Sequence, residues 1–84
     1  SKKDSISYYF EKALELSDSE DASLYVSYAE LVHKPAQEKS LFGQKLNSAL
    51  EVKVSKNSTF YLSNLIAQSR AKWLIADIDE YFID

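Results

Sequence analysis

Cysteine is absent from this chain of 84 residues, so it has no disulfide framework, no thiolate metal site and no cysteine nucleophile. Glycine and proline occur once each, too few for an all-β sandwich with turns every 8–12 residues or so, or for a glycine-rich phosphate loop. No apolar run approaches the roughly 18 residues that a membrane span needs. The net charge of −3 argues against a nucleic-acid partner, because phosphate contacts need a basic face.

The chain repeats itself: residues 10–31 align with residues 46–67, an offset of 36 residues. Six aligned pairs are identical, namely Ala13/Ala49, Leu14/Leu50, Glu15/Glu51, Ser19/Ser55, Tyr25/Tyr61 and Ser27/Ser63. A period of roughly 34 residues is typical of helical solenoids. Because such a unit cannot bury its apolar face alone, units stack and form a concave surface for partners. The repeat therefore favours a scaffold.

Apolar residues recur at helical spacing in four segments, at about residues 3–16, 20–32, 35–52 and 59–82. They predict an all-α fold of about four antiparallel helices, with the third and fourth the longest. Gly43 inside the third helix costs about 1 kcal/mol against alanine, which predicts the close approach of a neighbouring helix. The expected core comprises Leu14, Leu24, Leu31, Leu46, Leu50, Leu62, Ile66 and Leu74.

We expect residues 1–84 to form a single helical domain that is the C-terminal fragment of a longer chain. The first helix aligns with the second helix of a repeat unit and has no partner before it. One of its faces, carrying some of Ile6, Tyr9 and Phe10, is expected to lack a cover. Exposed apolar patches mark interaction surfaces, so we expect self-association through helix 1.

Two resemblances follow from these residues. The Ala-Leu pairs at 13–14 and 49–50 resemble the second helix of a tetratricopeptide (TPR) unit, which implies antiparallel hairpins in a TPR-like α-solenoid. The segment Asn64-Leu-Ile-Ala-Gln-Ser-Arg-Ala-Lys-Trp-Leu74, with Asp77-Ile-Asp-Glu-Tyr-Phe82 after it, resembles the C-terminal part of the T-component family of tripartite ATP-independent periplasmic (TRAP) transporters. The second resemblance extends over nearly the whole chain.

The T-component resemblance implies a non-catalytic scaffold in the periplasm, anchored as a lipoprotein in its full-length parent. It implies docking of the transporter's substrate-binding protein and assistance in ligand transfer. The alternative is a generic TPR-like adaptor that binds peptide segments in a cytoplasmic complex. A clamp for a peptide carboxylate would then use Lys12, Asn64 and Arg70.

No catalytic, metal-binding or cofactor-binding constellation is predicted. His33 has no second ligand at a metal-binding spacing, and we expect it to cap the second helix. The carboxylates of Asp77, Asp79, Glu80 and Asp84 are read as a solvated face rather than a site for a metal or a cationic partner.

Aromatic residues at helical spacing are either core or a recognition surface. Arg70 either pairs with Glu30 or Glu38 or contacts a partner. The candidate partner-binding residues are Tyr25, Tyr28, Asn64, Gln68, Arg70 and Trp73.

Overall fold

The computed structural model describes residues 2–83, with the side chains of residues 4–83. Helix α1 spans Lys2–Leu16, α2 spans Ala22–Tyr28, α3 spans Lys39–Glu51 and α4 spans Tyr61–Ala76. A π-helical turn, Ala29–His33, extends α2, and a 3₁₀ turn, Ile78–Tyr81, follows α4. Four helices pack against each other and no strand occurs in the described part of the chain, so the predicted all-α fold is confirmed.

Helix α3 begins later than predicted, because the backbone turns sharply after the π turn. Gln37 adopts a left-handed conformation (φ 58°), which a continuous helix cannot contain. Pro35 lies in this turn and not in the first turn of α3. With 13 residues, α3 is shorter than α1 with 15, so the expectation that the third helix is among the two longest is wrong.

Helix α4 ends at Ala76 and not at residue 82 as predicted. The chain then folds back, and the rings of Tyr81 and Phe82 lie 6.1 and 5.1 Å from the ring of Phe42 in α3. A straight helix would carry these apolar residues away from the core. The Gln37 side chain fixes the returning segment, since its Nε2 donates to the Tyr81 carbonyl and its Oε1 accepts from the Ile83 amide.

Helix α2 lies at the centre and contacts the other three helices. Its N-terminus is set by the Asp21 carboxylate, which accepts hydrogen bonds from the backbone amide and the hydroxyl of Ser23 at 3.1 and 2.6 Å. One core cluster joins α2, α3 and α4 around Phe42, Leu46 and Leu74. A smaller cluster joins α1 to α2 and the π turn through Phe10, Leu14, Tyr28 and Val32.

Of the eight predicted core residues, three are buried, two are half-buried and three are exposed. Leu14, Leu46 and Leu74 are buried, while Leu24 and Leu50 are half-buried. Leu31, Leu62 and Ile66 are exposed. In α4 the reason is that the inward side is formed by an asparagine and two alanines, with one large apolar residue at its end: Asn64, Ala67, Ala71 and Leu74.

Two amide side chains on α4 hold the ends of the neighbouring helices. Asn64, only 1% exposed, accepts from the Ala22 amide at 2.8 Å and donates to the Glu20 carbonyl at 2.9 Å. One turn later, Gln68 Nε2 donates to the carbonyls of Ala49 and Val52 at 3.1 and 2.8 Å. These contacts satisfy backbone groups that the start of α2 and the end of α3 leave without helical partners.

Gly43 does not mark a close helix approach. A methyl group at this position would meet Ile78 Cδ1 at 3.7 Å, an ordinary contact with the 3₁₀ turn.

We predict that Gly43→Ala raises the free energy of unfolding by about 0.4–1 kcal/mol, because alanine loses less entropy in a helix. Urea denaturation measures the change. The exposed neighbour Gln44 supplies the control Gln44→Ala, expected to be near neutral. A destabilised Gly43→Ala protein would contradict the packing around α3.

Asn64 is predicted to contribute far more to the free energy of unfolding than Asn47, an exposed asparagine in α3. Asn64→Ala leaves the Ala22 amide and the Glu20 carbonyl without their partner, at a cost of about 1–3 kcal/mol. Asn47→Ala makes the same chemical change on an exposed helix surface and should alter stability by less than about 0.5 kcal/mol. Equal effects in urea denaturation would show that the Asn64 contacts do not hold α2 on α4.

Candidate functional site

A stripe of large apolar side chains runs along the outer side of α4. Leu62, Ile66 and Trp73 are 69%, 71% and 57% exposed, and Leu65 is also exposed. Residues three and four apart on a helix lie on one face, so these side chains adjoin each other. We name this surface the α4 outer face and define it by Leu62, Leu65, Ile66, Ser69, Arg70 and Trp73.

The α4 outer face follows from how α4 packs. Ala67 and Ala71 allow α4 to approach its neighbours closely, and Asn64 must face α2 to make its two hydrogen bonds. With that side of the helix turned inward, Leu62 and Ile66 must point outward. A contiguous exposed apolar patch of this kind is a common mark of an interaction site.

Arg70 is held in place on the α4 outer face. Its Nε and one terminal nitrogen donate to the two carboxylate oxygens of Glu30 at 3.1 and 2.5 Å. The guanidinium carbon lies 5.6 Å from the ring centre of Trp73, within cation–π range. Hydrogen bonding to Glu30 raises the pKa of Arg70 further, so the guanidinium stays charged. Of the three alternatives for Arg70, pairing with Glu30 is the one that the structure contains.

Two shallow depressions lie beside Arg70. One, of about 550 Å³, is lined by Leu65, Ile66, Ser69, Arg70 and Trp73. The other, of about 340 Å³, lies between α2 and α4 and is lined by Ser23, Val26, Ser27, Glu30, Ser63, Ile66, Ala67 and Arg70. Ile66 and Arg70 line both, so the surface is continuous from α2 across α4. Apolar walls with a few fixed polar groups are typical of binding surfaces.

Arg70 and Trp73 are the two predicted partner-binding residues on this face. The Asn64 amide is engaged with the start of α2, and Gln68 holds the end of α3. Asn64 is buried and its amide is engaged at the start of α2, so it is not free to bind a carboxylate with Lys12 and Arg70.

The two predicted tyrosines lie away from the α4 outer face. Tyr28 is buried between the rings of Phe10 and His33, with centroid distances of 5.2 and 4.9 Å. Burial, followed by hydrogen bonding to Glu11, raises the pKa of Tyr28 and favours its neutral form. Tyr25 is half-buried and lines a separate polar depression near Glu11 and Lys45.

His33 is a structural residue rather than a ligand. Its Nδ1 lies 3.0 Å from Glu38 Oε1, which joins the end of the π turn to the start of α3. His33 lies in the last turn of the helical segment that α2 and the π turn form, the position expected for it, and its side chain there bonds the Glu38 carboxylate. Its Nε2 is buried and has no hydrogen-bond partner among the described residues.

The predicted carboxylate patch lies in the 3₁₀ turn and not in the last turns of α4. The Asp79 carboxylate is 2.6 Å from Lys39 Nζ, and Asp84 lies outside the described residues. Within the described chain, no group of three or more histidine, aspartate or glutamate side chains could hold a metal ion. None of the described helices is long and apolar enough to cross a membrane.

Sequence reasoning did not identify the apolar part of the α4 outer face, since Leu62 and Ile66 were assigned to the core. The signal that marks the inward side is the spacing of Asn64, Ala67 and Ala71 at three and four residues. Small residues and a capping amide on one stripe leave the large apolar residues on the opposite one.

A family model described as TRAP transporter T-component matches residues 3–82. No curated protein and no solved structure matches the chain. The match covers nearly the whole chain, including the Asn64–Leu74 segment and the buried and exposed stripes of α4 described above. Members of this family are transporter components, and the family is associated with the periplasmic side of the membrane. The chain belongs to the T-component family of TRAP transporters.

Proposed function

We propose that this chain is the docking part of a T-component: a non-catalytic scaffold that binds the periplasmic substrate-binding protein of its transport system through the α4 outer face. The observation that carries the proposal is the pairing of exposed Trp73 with a fixed Arg70 among exposed leucine and isoleucine side chains. Tryptophan and arginine are enriched among the residues that dominate binding energies at protein interfaces.

The rigidity of Arg70 supports this role. An arginine held on both sides loses little conformational entropy when a partner arrives, because its two hydrogen bonds to Glu30 and its contact with Trp73 already exist. Serine hydroxyls line the adjoining depression and supply polar contacts at its rim. The proposal extends to assistance in ligand transfer, for which the α2–α4 depression next to the docking face is the nearest concave surface.

The proposal includes the family's cellular setting. We infer a periplasmic location with lipoprotein anchoring in the full-length parent, of which residues 1–84 are a single TPR-like domain. Shifted by the 36-residue offset, α1 at Lys2–Leu16 falls on residues 38–52, nearly the same range as α3 at Lys39–Glu51. This agreement of the helix bounds supports the TPR-like arrangement.

Self-association through helix 1 remains part of the proposal, with a changed set of residues. Ile6, Tyr8 and Tyr9 are exposed on α1 and supply an apolar patch. Phe10 is buried against Tyr28 and takes no part in that patch.

Binding to the substrate-binding protein of the same transport system can be followed through Trp73, the only tryptophan in the chain. We expect its fluorescence to shift to the blue on titration as the ring leaves water. Calorimetry should show that Trp73→Ala weakens binding at least tenfold, as for a residue that dominates an interface. The matched control Leu31→Ala removes a similarly exposed apolar side chain from the π turn and should leave affinity unchanged. Absence of binding by the unmodified chain would contradict the proposed function.

A further inference from the structure

The internal repeat indicates what kind of structure covers the α4 outer face. Helix α2 and helix α4 are equivalent under the 36-residue offset, with Val26 aligned on Leu62 and Ala29 on Leu65. Val26 in α2 and Ala29 at the start of the π turn that extends α2 are both buried, in the same core cluster as Ala67, Ala71 and Leu74 of α4. In α4 both equivalent residues are exposed.

The α4 outer face therefore has the position that a helix occupies on α2. One repeat earlier, the following helices bury this surface, and α2 contacts both α3 and α4. After α4 the described chain does not supply such a helix, because the 3₁₀ turn folds back onto α3. An incoming helix would meet a surface that the repeat has already shaped for helix packing.

The charges on α4 define the polar side of that incoming helix. Arg70 and Lys72 are the charged residues of α4, which contains no aspartate or glutamate, although the chain as a whole carries a net charge of −3. Arg70 is paired with Glu30, and Lys72 is exposed. The half of the α4 outer face near Leu62 is apolar, Arg70 lies in the half near Trp73, and Lys72 is the exposed residue of α4 next to Trp73 in the chain. A complementary helix is apolar along one stripe and carries a carboxylate at one end.

We propose that one amphipathic helix of the substrate-binding protein lies along the α4 outer face, in the position that the repeat gives to the helix following α4. Its apolar side chains, spaced three and four residues apart, pack on Leu62, Leu65 and Ile66. Its carboxylate lies beside Lys72. This proposal rests on the proposed function, since it specifies how the same partner is held.

The first test uses charge substitutions with matched controls. Ile66→Glu should weaken binding at least tenfold, because it places a carboxylate in the apolar contact. Leu31→Glu makes the same kind of change at a similarly exposed residue of the π turn and should leave affinity unchanged. Circular dichroism should show the same helix content for both variants, since both sites are exposed.

The second test addresses the partner's carboxylate. Lys72→Glu should weaken binding severalfold at low salt, and the difference from the unmodified chain should shrink as salt is raised, because salt screens exposed charges. Lys53→Glu in the loop before α4 carries the same charge change away from the face and should have no effect.

The third test identifies the secondary structure that contacts α4. The chain contains no cysteine, so Ser69→Cys offers one attachment point for a benzophenone photo-crosslinker, with Ser40→Cys on α3 as the control. Crosslinks from position 69 should map to one helix of the substrate-binding protein with apolar residues three and four apart. Position 40 should give none there.

The outcomes separate the two proposals. Lack of binding by the unmodified chain overturns both. If Trp73→Ala weakens binding but the crosslinks from position 69 map to loops or strands of the partner, the helix proposal alone is overturned and the docking function stands. If the chain alone forms oligomers, and Ile66→Glu dissociates them without weakening partner binding, the α4 outer face binds a second copy of the chain. This result would overturn the helix proposal.

Discussion

The hydrogen bonds of Asn64 fix which side of α4 faces the protein. Its buried amide meets the Ala22 amide and the Glu20 carbonyl at the start of α2, where a helix leaves backbone groups unpaired. Gln68 does the same one turn later for the carbonyls at the end of α3. Rotating α4 would leave the buried Ala22 amide and the buried Asn64 side chain without these partners, and an unpaired buried polar group costs about 1–3 kcal/mol. The polar contacts thus specify the orientation, while Ala67 and Ala71 permit the close approach.

The exposure of the large apolar residues on α4 is a consequence of that orientation. Leu62 and Ile66 lie opposite the buried stripe, and the fixed pair of Glu30 and Arg70 lies next to them. Glu30 reaches Arg70 from the π turn, a type of helix irregularity that often occurs at functional sites. One helix therefore holds three elements together on one side and presents the α4 outer face on the other. In a protein whose shortest dimension is 14 Å, a helix readily has one side in the core and one in solvent.

The helical fold and the family could be predicted from the sequence because both are carried by local patterns. The apolar periodicity fixed the four helices, and the Asn64–Leu74 segment carried the resemblance that the family match confirms. Helix ends depended on contacts distant in sequence, such as those of Gln37 with Tyr81 and Ile83. The burial of Asn64 and the exposure of Ile66 reverse the usual preferences of the two residue types, so hydrophobicity alone misplaced Ile66. Arg70 and Trp73 were identified as candidates from their types, but their shared surface required the packing of α4.

Cysteine scanning of α4 tests the orientation of this helix most directly, because the chain contains no cysteine of its own. Single substitutions at the outward positions Leu62, Ile66, Ser69 and Trp73 and at the inward positions Asn64, Ala67, Ala71 and Leu74 would be reacted with a maleimide under native conditions. With α4 oriented as described, labelling should be fast at all four outward positions and at least about tenfold slower at the inward ones, where reaction needs local opening. Slow labelling at 62 and 66 with fast labelling at 64 and 67 would show that α4 presents the opposite side, and would contradict both the core and the α4 outer face described above.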